Sequence, residues 1–413
     1  MRVRWLAVSC LIAAMSFVVA ACGSDSGGGG GGKASGSTLT IYSSLPLQGD
    51  SRPQSEDVVH GEQLALEKAG NKAGKYKIKF VSLDDSVAAT GKWDPGKVSE
   101  NARKAVGDDN TIAYIGEFNS GASAISIPLT NEAGIPQISP ANTYVGLTRS
   151  EGAEKGEPQK YQPSGSKTFA RVVPADHIQA AAQVAWMKEE GVTKLYILND
   201  KEVYGKGIAD AVEKIAGEQG IKVLGNDGID TKAANFRALA SKIKSAGADG
   251  FFFGGITQNK GVQVFKDVNA ANPDAKLFGP DGVADSPFFE KVGAAIEKQA
   301  YITAPTLDPK EYPPAAQDFY KEFKSKYGKD PEPYAIYGYE AMSLALDAIK
   351  RAGDNGNDRK AVLDQVFKTK GRSSVLGTYD IDENGDTTLS DYGGNRIEGG
   401  KLVFDKVIKA QTS

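Results

Sequence analysis

From Leu39 onward, short apolar runs of strand length alternate with segments whose apolar residues recur at helical spacing. A short apolar run predicts a buried strand, and a stripe at i, i+3, i+4 and i+7 predicts an amphipathic helix. Residues 39–42, 76–83, 112–115 and 136–139 read as strands. Val58, Ala65, Leu66 and Ala69, then residues 98–106 and 122–133, read as helices between them. The second half repeats the pattern, with Ile178, Ala181, Ala182, Ala185 and Trp186 on one helical face. Further strands are expected at 195–198, 251–253 and 276–278, and helices over Phe236, Leu239, Ala240 and Ile243 and over 262–268. Helical patterns dominate 314–369, and strands at 378–381 and 401–408 close the chain. Such alternation means βαβ units, hence an α/β fold with parallel central sheets and helices on both faces. At 413 residues the chain exceeds what one core serves, so two Rossmann-like lobes are expected. Residues 151–166, broken by Gly152, Gly156, Pro158, Pro163 and Gly165, read as a surface loop. The crossing between lobes is expected just after it, near 171–174.

The N-terminus has a different character. Arg2 and Arg4 precede an apolar run over 5–21 that ends in Val19, Ala20, Ala21 and Cys22, and glycines fill 27–32. A basic start, an apolar stretch and small residues before a cut site make a secretory signal, here residues 1–21. A Cys directly after those small residues is similar to the lipobox of bacterial lipoproteins, which implies that Cys22 becomes the lipidated first residue of the mature chain. Residues 22–37 then form a flexible, Gly-rich tether. An uncleaved anchor and a plain secreted protein are the alternatives, since 5–21 lies at the short edge of the spanning range. No other apolar run is long enough for a span, which argues against a channel or permease. The net charge is −3 without a basic block, which argues against nucleic acid. Cys10 leaves with the signal and Cys22 carries lipid, so the body has no thiol for a disulfide, a nucleophile or a metal.

Signatures of catalysis are missing. His60 and His177 are the only histidines, neither has a partner at metal-ligand spacing, and both read as surface residues. No G-x-S-x-G, H-E-x-x-H, P-loop or G-x-G-x-x-G pattern occurs. The acid pairs Asp84-Asp85, Asp108-Asp109 and Glu189-Glu190 read as solvated turns, not as a hydrolytic pair. The chain therefore reads as a non-enzyme without a cofactor. Asp380, Asp382, Asn384, Asp386 and Asp391 nearly fit a calcium loop. The twelfth residue is Asp rather than a bidentate Glu, the flanks are strand-like, and residues 382–385 make a good hairpin turn. A metal-free turn is expected.

Two strand-to-helix junctions carry the binding chemistry. After the strand at 112–115 come Gly116, Glu117, Phe118, Asn119 and Ser120, with Ser120 where a helix N-cap is expected. Free N–H groups there, with the hydroxyl, make a small anion site. After the strand at 136–139 come Pro140, Ala141, Asn142 and Thr143, another hydroxyl-bearing turn. Both stand at carboxyl ends of parallel strands, where such folds bind ligands. The alternative is that Ser120 and Thr143 only cap helices.

Residues 114–148, 199–205, 278–282 and 377–385, with Asp84, Asp85, Asp94 and Pro95, together resemble the branched-chain amino-acid (Leu/Ile/Val)-binding family of type I periplasmic binding proteins, in its lipoprotein form. The resemblance covers essentially the whole mature chain. It implies two lobes, 38–170 with 304–374 and 171–303 with 375–413, joined by a three-strand hinge. It further implies that Ser120 and Thr143, with Asn119 beside them, meet a ligand α-carboxylate. Ala141 would add backbone groups, Tyr204 would close from the second lobe, and Asp281 would pair with the α-ammonium. Asp281 stands where the family usually carries Glu, and Gln54 and Ile256 stand where it carries aromatics, so the side-chain pocket departs from the family pattern. The implied function is solute binding for an ABC importer by a monomer, with an amino acid and a permease as partners. Its implied place is the outer face of the cytoplasmic membrane, held by lipid. The alternative is a ligand-sensing receptor domain of the same fold.

Overall fold

In the computed structural model, residues 32–410 are described, so the signal of residues 1–21 and Cys22 lie outside the described residues. The strand-length apolar runs assemble into two separate sheets. Thr38–Leu45 lies at the centre of the first and pairs in parallel with Tyr76–Asp84 on one side and Thr111–Gly116 on the other. Gln137–Ser139 and Phe169–Arg171 extend that side in parallel, and Lys72–Ala73 adds a short antiparallel edge. Leu39, Ile41 and Leu45 are fully buried, as a central parallel strand covered on both faces requires. Strand order reverses at Thr38–Leu45, so a crevice opens at the carboxyl ends of that strand and its neighbour.

The second sheet repeats the device around Lys194–Asn199, flanked in parallel by Lys222–Gly228 and Gly250–Gly254. Lys276–Gly279 and Ala300–Ala304 continue it in parallel. Asp391–Glu398 and Lys401–Lys409 then add an antiparallel hairpin, so this sheet is mixed rather than wholly parallel. Gly399 and Gly400, both at positive φ, form the two-residue turn.

Packing decides which lobe each helix joins. Arg52–Lys68 and Ala335–Arg351 lie against each other although far apart in sequence. A Cβ on Gly61 would stand 2.1 Å from the Ala335 carbonyl oxygen, and one on Gly338 would stand 2.3 Å from that of Val58. Only glycine permits that approach, and it draws Ala335–Arg351 back into the first core. Asp176–Glu189 belongs to the second body, where Ala182 and Trp186 pack with Leu195 and Ile197. The first crossing therefore lies between Arg171 and Asp176, and the chain returns after Ala304.

Several expectations need correction. The second lobe does not resume at 375, because Val375, Leu376, Tyr379 and Ile381 are buried in the first core. The hairpin of Arg372–Ser374 and Gly377–Tyr379 is too short to stand alone and lays its apolar residues on that core. The last crossing falls just before Asp391. The tether does not run free to residue 37, since Lys33 bridges Asp358 and buried Ala34 donates its N–H to the Asn357 carbonyl at 2.7 Å. The loop at 151–166 lies at the surface as expected, but it is pinned at Glu157. The hydroxyls of Tyr144 and Tyr161 each donate to buried Glu157 at 2.6 Å. His177 is half-buried, and burial pushes its imidazole down to about 4. His60 is also half-buried, stacked on Tyr327 at 4.0 Å. Among the described residues no helix is long and apolar enough to cross a membrane.

Candidate functional site

The first junction ends the strand Thr111–Gly116. Asn119 takes an extended conformation and caps the helix Ser120–Glu132 without a side-chain bond, so Ser120 is the first helical residue and not the cap. Its hydroxyl instead accepts the Tyr144 N–H at 3.3 Å, which ties the first junction to the second. The leading N–H groups of the helix have no helical acceptor and carry its positive end.

At the second junction Ser139 organises the turn. Its hydroxyl donates to the Glu117 carbonyl at 2.9 Å and accepts the N–H groups of Ala141 at 3.2 Å and Asn142 at 2.9 Å. The Ala141 N–H is therefore committed inside the loop. The Asn142 amide donates to the Phe118 carbonyl at 2.8 Å. Two buried atoms in this wall have no hydrogen-bond partner: Thr143 Oγ1 and Asn119 Oδ1. A buried polar atom without a partner is costly, and a bound polar ligand would relieve it.

Behind this wall stands Arg171, fully buried. Its guanidinium donates to the carbonyls of Asn142 at 3.1 Å and Tyr144 at 2.9 Å, and to Asp386 at 2.7 Å. Arg149 also reaches Asp386, at 2.5 Å. Burial opposes ionisation of Asp386, but the two arginines win and hold its carboxyl at about 2. Asp382 pairs with Arg149 at 2.5 Å and accepts the N–H groups of Asn384 and Asp386. Asp380 accepts the Gly371 N–H at 2.6 Å and pairs with Lys370 at 3.3 Å. Asp391 opens a strand of the second sheet. The acids with calcium-like spacing thus face arginine, lysine and backbone N–H groups rather than one another. Among the described residues no group of three or more His, Cys, Asp or Glu side chains could hold a metal ion.

The expectation of solvated acids fails at Asp85. It is fully buried beside Glu117, and burial raises both carboxyls, Glu117 to about 7. The Tyr114 hydroxyl donates to Glu117 at 2.6 Å. This pair underlies the first junction without facing the cleft cavity.

The opposite wall comes from the second lobe. Asp281 follows the strand Lys276–Gly279 and is buried. Its carboxylate accepts the Tyr204 hydroxyl at 2.7 Å and the Tyr334 hydroxyl at 2.6 Å. Burial raises the Asp281 carboxyl, and the two hydroxyls pull it part of the way back. Tyr334 belongs to the first core, so its bond to Asp281 spans the cleft. Lys92 to Asn259 at 2.7 Å, Lys291 to Asp50 at 2.7 Å and Lys206 to Glu154 at 2.8 Å span it too. The two lobes are closed on each other.

Sequence reasoning missed Asp176 and Tyr334. Asp176 opens the helix Asp176–Glu189 and is fully buried, with no hydrogen bond to either carboxylate oxygen. Burial, then the neighbouring Asp281, pushes its carboxyl well up, while Thr143 and Arg171 pull it down. Asp176 therefore stands where the hydroxyl of one wall and the acid of the other converge. Its only sequence signal was an acid in the first turn of a helix, which many surface helices share.

Between the walls lies a narrow cavity. Gln54, Phe118 and Asn119 line it from the first lobe, and Ile256, Gln258, Asp281 and Asp285 from the second. Four of the eight expected ligand residues, Gln54, Asn119, Ile256 and Asp281, thus share one space. Tyr204 bonds to Asp281, Thr143 neighbours Asp176, and Ser120 and Ala141 sit in the junction loops behind them. Asp285 was not anticipated. Burial pushes its carboxyl up to about 7, while the Thr257 hydroxyl at 2.8 Å and the Phe288 N–H at 3.0 Å oppose the rise.

A family profile described as a periplasmic binding protein matches residues 38–400. A Leu/Ile/Val-binding protein homolog of Brucella abortus is 29% identical over 351 residues, which is 84% of this chain and 87% of that one. The leucine-binding protein of Thermotoga maritima superposes with a TM-score of 0.78 at 25% identity, over 90% of this chain and 99% of its own. A solute-binding protein of an ABC transporter from R. palustris, solved with benzoate, gives a TM-score of 0.75 at 21% identity, over 91% and 98%. These relatives are solute-binding proteins, not enzymes. With the profile spanning both lobes, and with solved relatives of the same two-lobed architecture, the chain belongs to the periplasmic binding protein family and has the type I fold of its leucine-binding relatives.

Proposed function

We propose that this chain is the solute-binding lipoprotein of an ABC importer and holds an amino acid, of branched-chain type or a related small zwitterion, between its lobes. The convergence of Thr143, Asp176 and Asp281 carries the reading. A zwitterion needs donors for its carboxylate and acceptors for its ammonium, on opposed surfaces. The partnerless Thr143 hydroxyl and the N-terminus of Ser120–Glu132 supply the first. Asp281, held by Tyr204 and Tyr334, supplies the second. Ser120 and Ala141 shape the carboxylate end. Capture is followed by closure at the three crossings, with no chemistry on the ligand.

In this reading Cys22 carries the lipid and the protein acts as a monomer beside a permease, on the outer face of the cytoplasmic membrane. The curated relative's name and the leucine-binding neighbour support the amino-acid class. The test is calorimetry on the purified chain with amino acids, amides and small carboxylic acids. An amino acid is expected to bind in the micromolar range or tighter, and binding by none of them would sink the reading. Separately, Cys22→Ser should release the protein from the membrane fraction of a producing cell while ligand binding persists. Retention of that variant at the membrane would remove the lipoprotein part.

A further inference from the structure

The side-chain end of the cavity is built differently from a pocket for leucine. Beyond Asp281, its walls are Gln54, Asn119, Gln258 and Asp285, with Phe118 and Ile256 as the apolar surfaces. Gln54 is 5% exposed, and its Oε1 has no hydrogen-bond partner. The amide oxygen of Asn119 is likewise buried and unpartnered. Asp285 uses one oxygen, Oδ1, for both Thr257 and the Phe288 N–H. Its Oδ2 accepts no hydrogen bond among the described residues. The fully buried atoms without partners, Gln54 Oε1 and Asn119 Oδ1, are acceptors, and the free oxygen of Asp285 adds a carboxylate beside the uncharged amides of Gln54, Asn119 and Gln258.

Charge points the same way. No Lys or Arg lines the cavity. The nearby cations are engaged elsewhere: Lys291 on Asp50, Lys329 on Asp57 and Lys92 on Asn259. Asp50 and Glu332 add negative charge near Asp285. A ligand α-ammonium answers Asp281 and leaves Asp285 unanswered. A leucine side chain there would leave the Gln54 and Asn119 acceptors and a carboxylate without partners in a closed cleft.

We propose that this end of the cleft takes a positively charged side chain, so that the ligand is a basic amino acid such as lysine, ornithine or arginine. The proposal rests on the amino-acid reading above. The closed cavity has room for only about 20 Å³, so the ligand enters with the lobes parted; its ammonium or guanidinium then donates to Asp285 Oδ2, with Gln54 Oε1 and Asn119 Oδ1 as further acceptors, and its methylenes lie against Phe118 and Ile256. Gln54 and Asp285 are then the specificity-determining residues, because they oppose apolar ligands as much as they favour a cation.

Calorimetry with L-lysine, L-arginine, L-glutamine and L-leucine on the full chain tests this. At least one basic amino acid is expected to bind tenfold or more tightly than leucine, with glutamine between them. Asp285→Asn, which keeps the helix cap, should shrink that preference tenfold or more, and Gln54→Leu should shift it toward leucine without touching Asp285. Leucine binding more tightly than both basic amino acids would overturn the proposal and leave the amino-acid reading intact. A preference for basic ligands unchanged in both variants would overturn the roles given to Asp285 and Gln54. Binding of benzoate but of no amino acid would remove the amino-acid reading and this proposal together.

Discussion

Across the cleft, the first-lobe wall offers uncharged groups, hydroxyls and helix N–H groups at the junctions and the amides of Gln54 and Asn119 beside them, whereas the second-lobe wall offers the carboxylates Asp281 and Asp285. The donor wall is neutral and cross-linked through Ser139, Asn142 and Ser120, with Arg171 braced behind it. The acceptor wall is acidic, and burial raises the proton affinity of its carboxyls. The donor wall draws its strength from fixed dipoles, which change little with pH. The acceptor wall depends on whether its acids are ionised. Closure brings the two together, and under the proposed function a ligand with both charges would relieve unmet groups on each side.

Four measurements bear on that contrast. The largest effect is expected for Arg171→Ala, which strands two loop carbonyls in the interior and leaves buried Asp386 with Arg149 alone. Urea unfolding should show a loss of about 3–5 kcal/mol, as for other broken buried ion pairs. An unchanged stability would mean that the donor wall is not held from behind. Next, Asp281→Ala should weaken amino-acid binding about 100-fold, or about 2.7 kcal/mol, and leave a simple carboxylic acid nearly unaffected. An equal loss for both ligands would erase the division of labour between the walls. Thr143→Val should cost about tenfold, or about 1.4 kcal/mol, for both ligand types, because both present a carboxylate.

The smallest expected effect concerns pH. The Asp285 carboxyl is raised from 3.8 to about 7 in the folded protein. The native state then binds its proton more tightly than the unfolded chain. Its contribution to stability is complete below the unfolded value and is lost as pH rises through about 7. Asp285→Asn should flatten the decline in thermal stability between about pH 5 and about pH 8 by on the order of 1 kcal/mol, and Thr143→Val should not. An identical slope in both variants would place the titration elsewhere, with Glu117 and Glu62 as the nearest alternatives on the first lobe.

Much of the architecture was legible because it rests on local pattern. The strands at 112–115 and 195–198 appear within a residue or two of their expected bounds, as Thr111–Gly116 and Lys194–Asn199. The turns after Thr111–Gly116 and Gln137–Ser139 were legible too, since a hydroxyl after a parallel strand has few structural uses besides a cap or an anion site. Asp391–Glu398 was not, for it pairs antiparallel beside a parallel sheet and carries Gly393 and Gly394 at its centre. Tyr334 lay outside reach because nothing local ties it to Asp281, 53 residues away in the chain. Asp85 read as solvated because its neighbour Asp84 resembles a turn acid, and only the burial of Glu117 above it reveals the pair.

The sequence by itself determined the α/β class, two sheets, the hydroxyl-bearing junctions at Ser120 and Thr143, and the acid at Asp281. Those follow from periodicity and from residue chemistry at strand ends, which act over a few positions. Only the tertiary structure decided that Val375 to Ile381 remain with the first lobe and that Asp382 and Asp386 answer arginines. It alone set Asp176, Asp281 and Asp285 inside one closed cleft. Burial and charge pairing depend on which distant segments meet, and burial turns an ordinary aspartate into one that needs a partner.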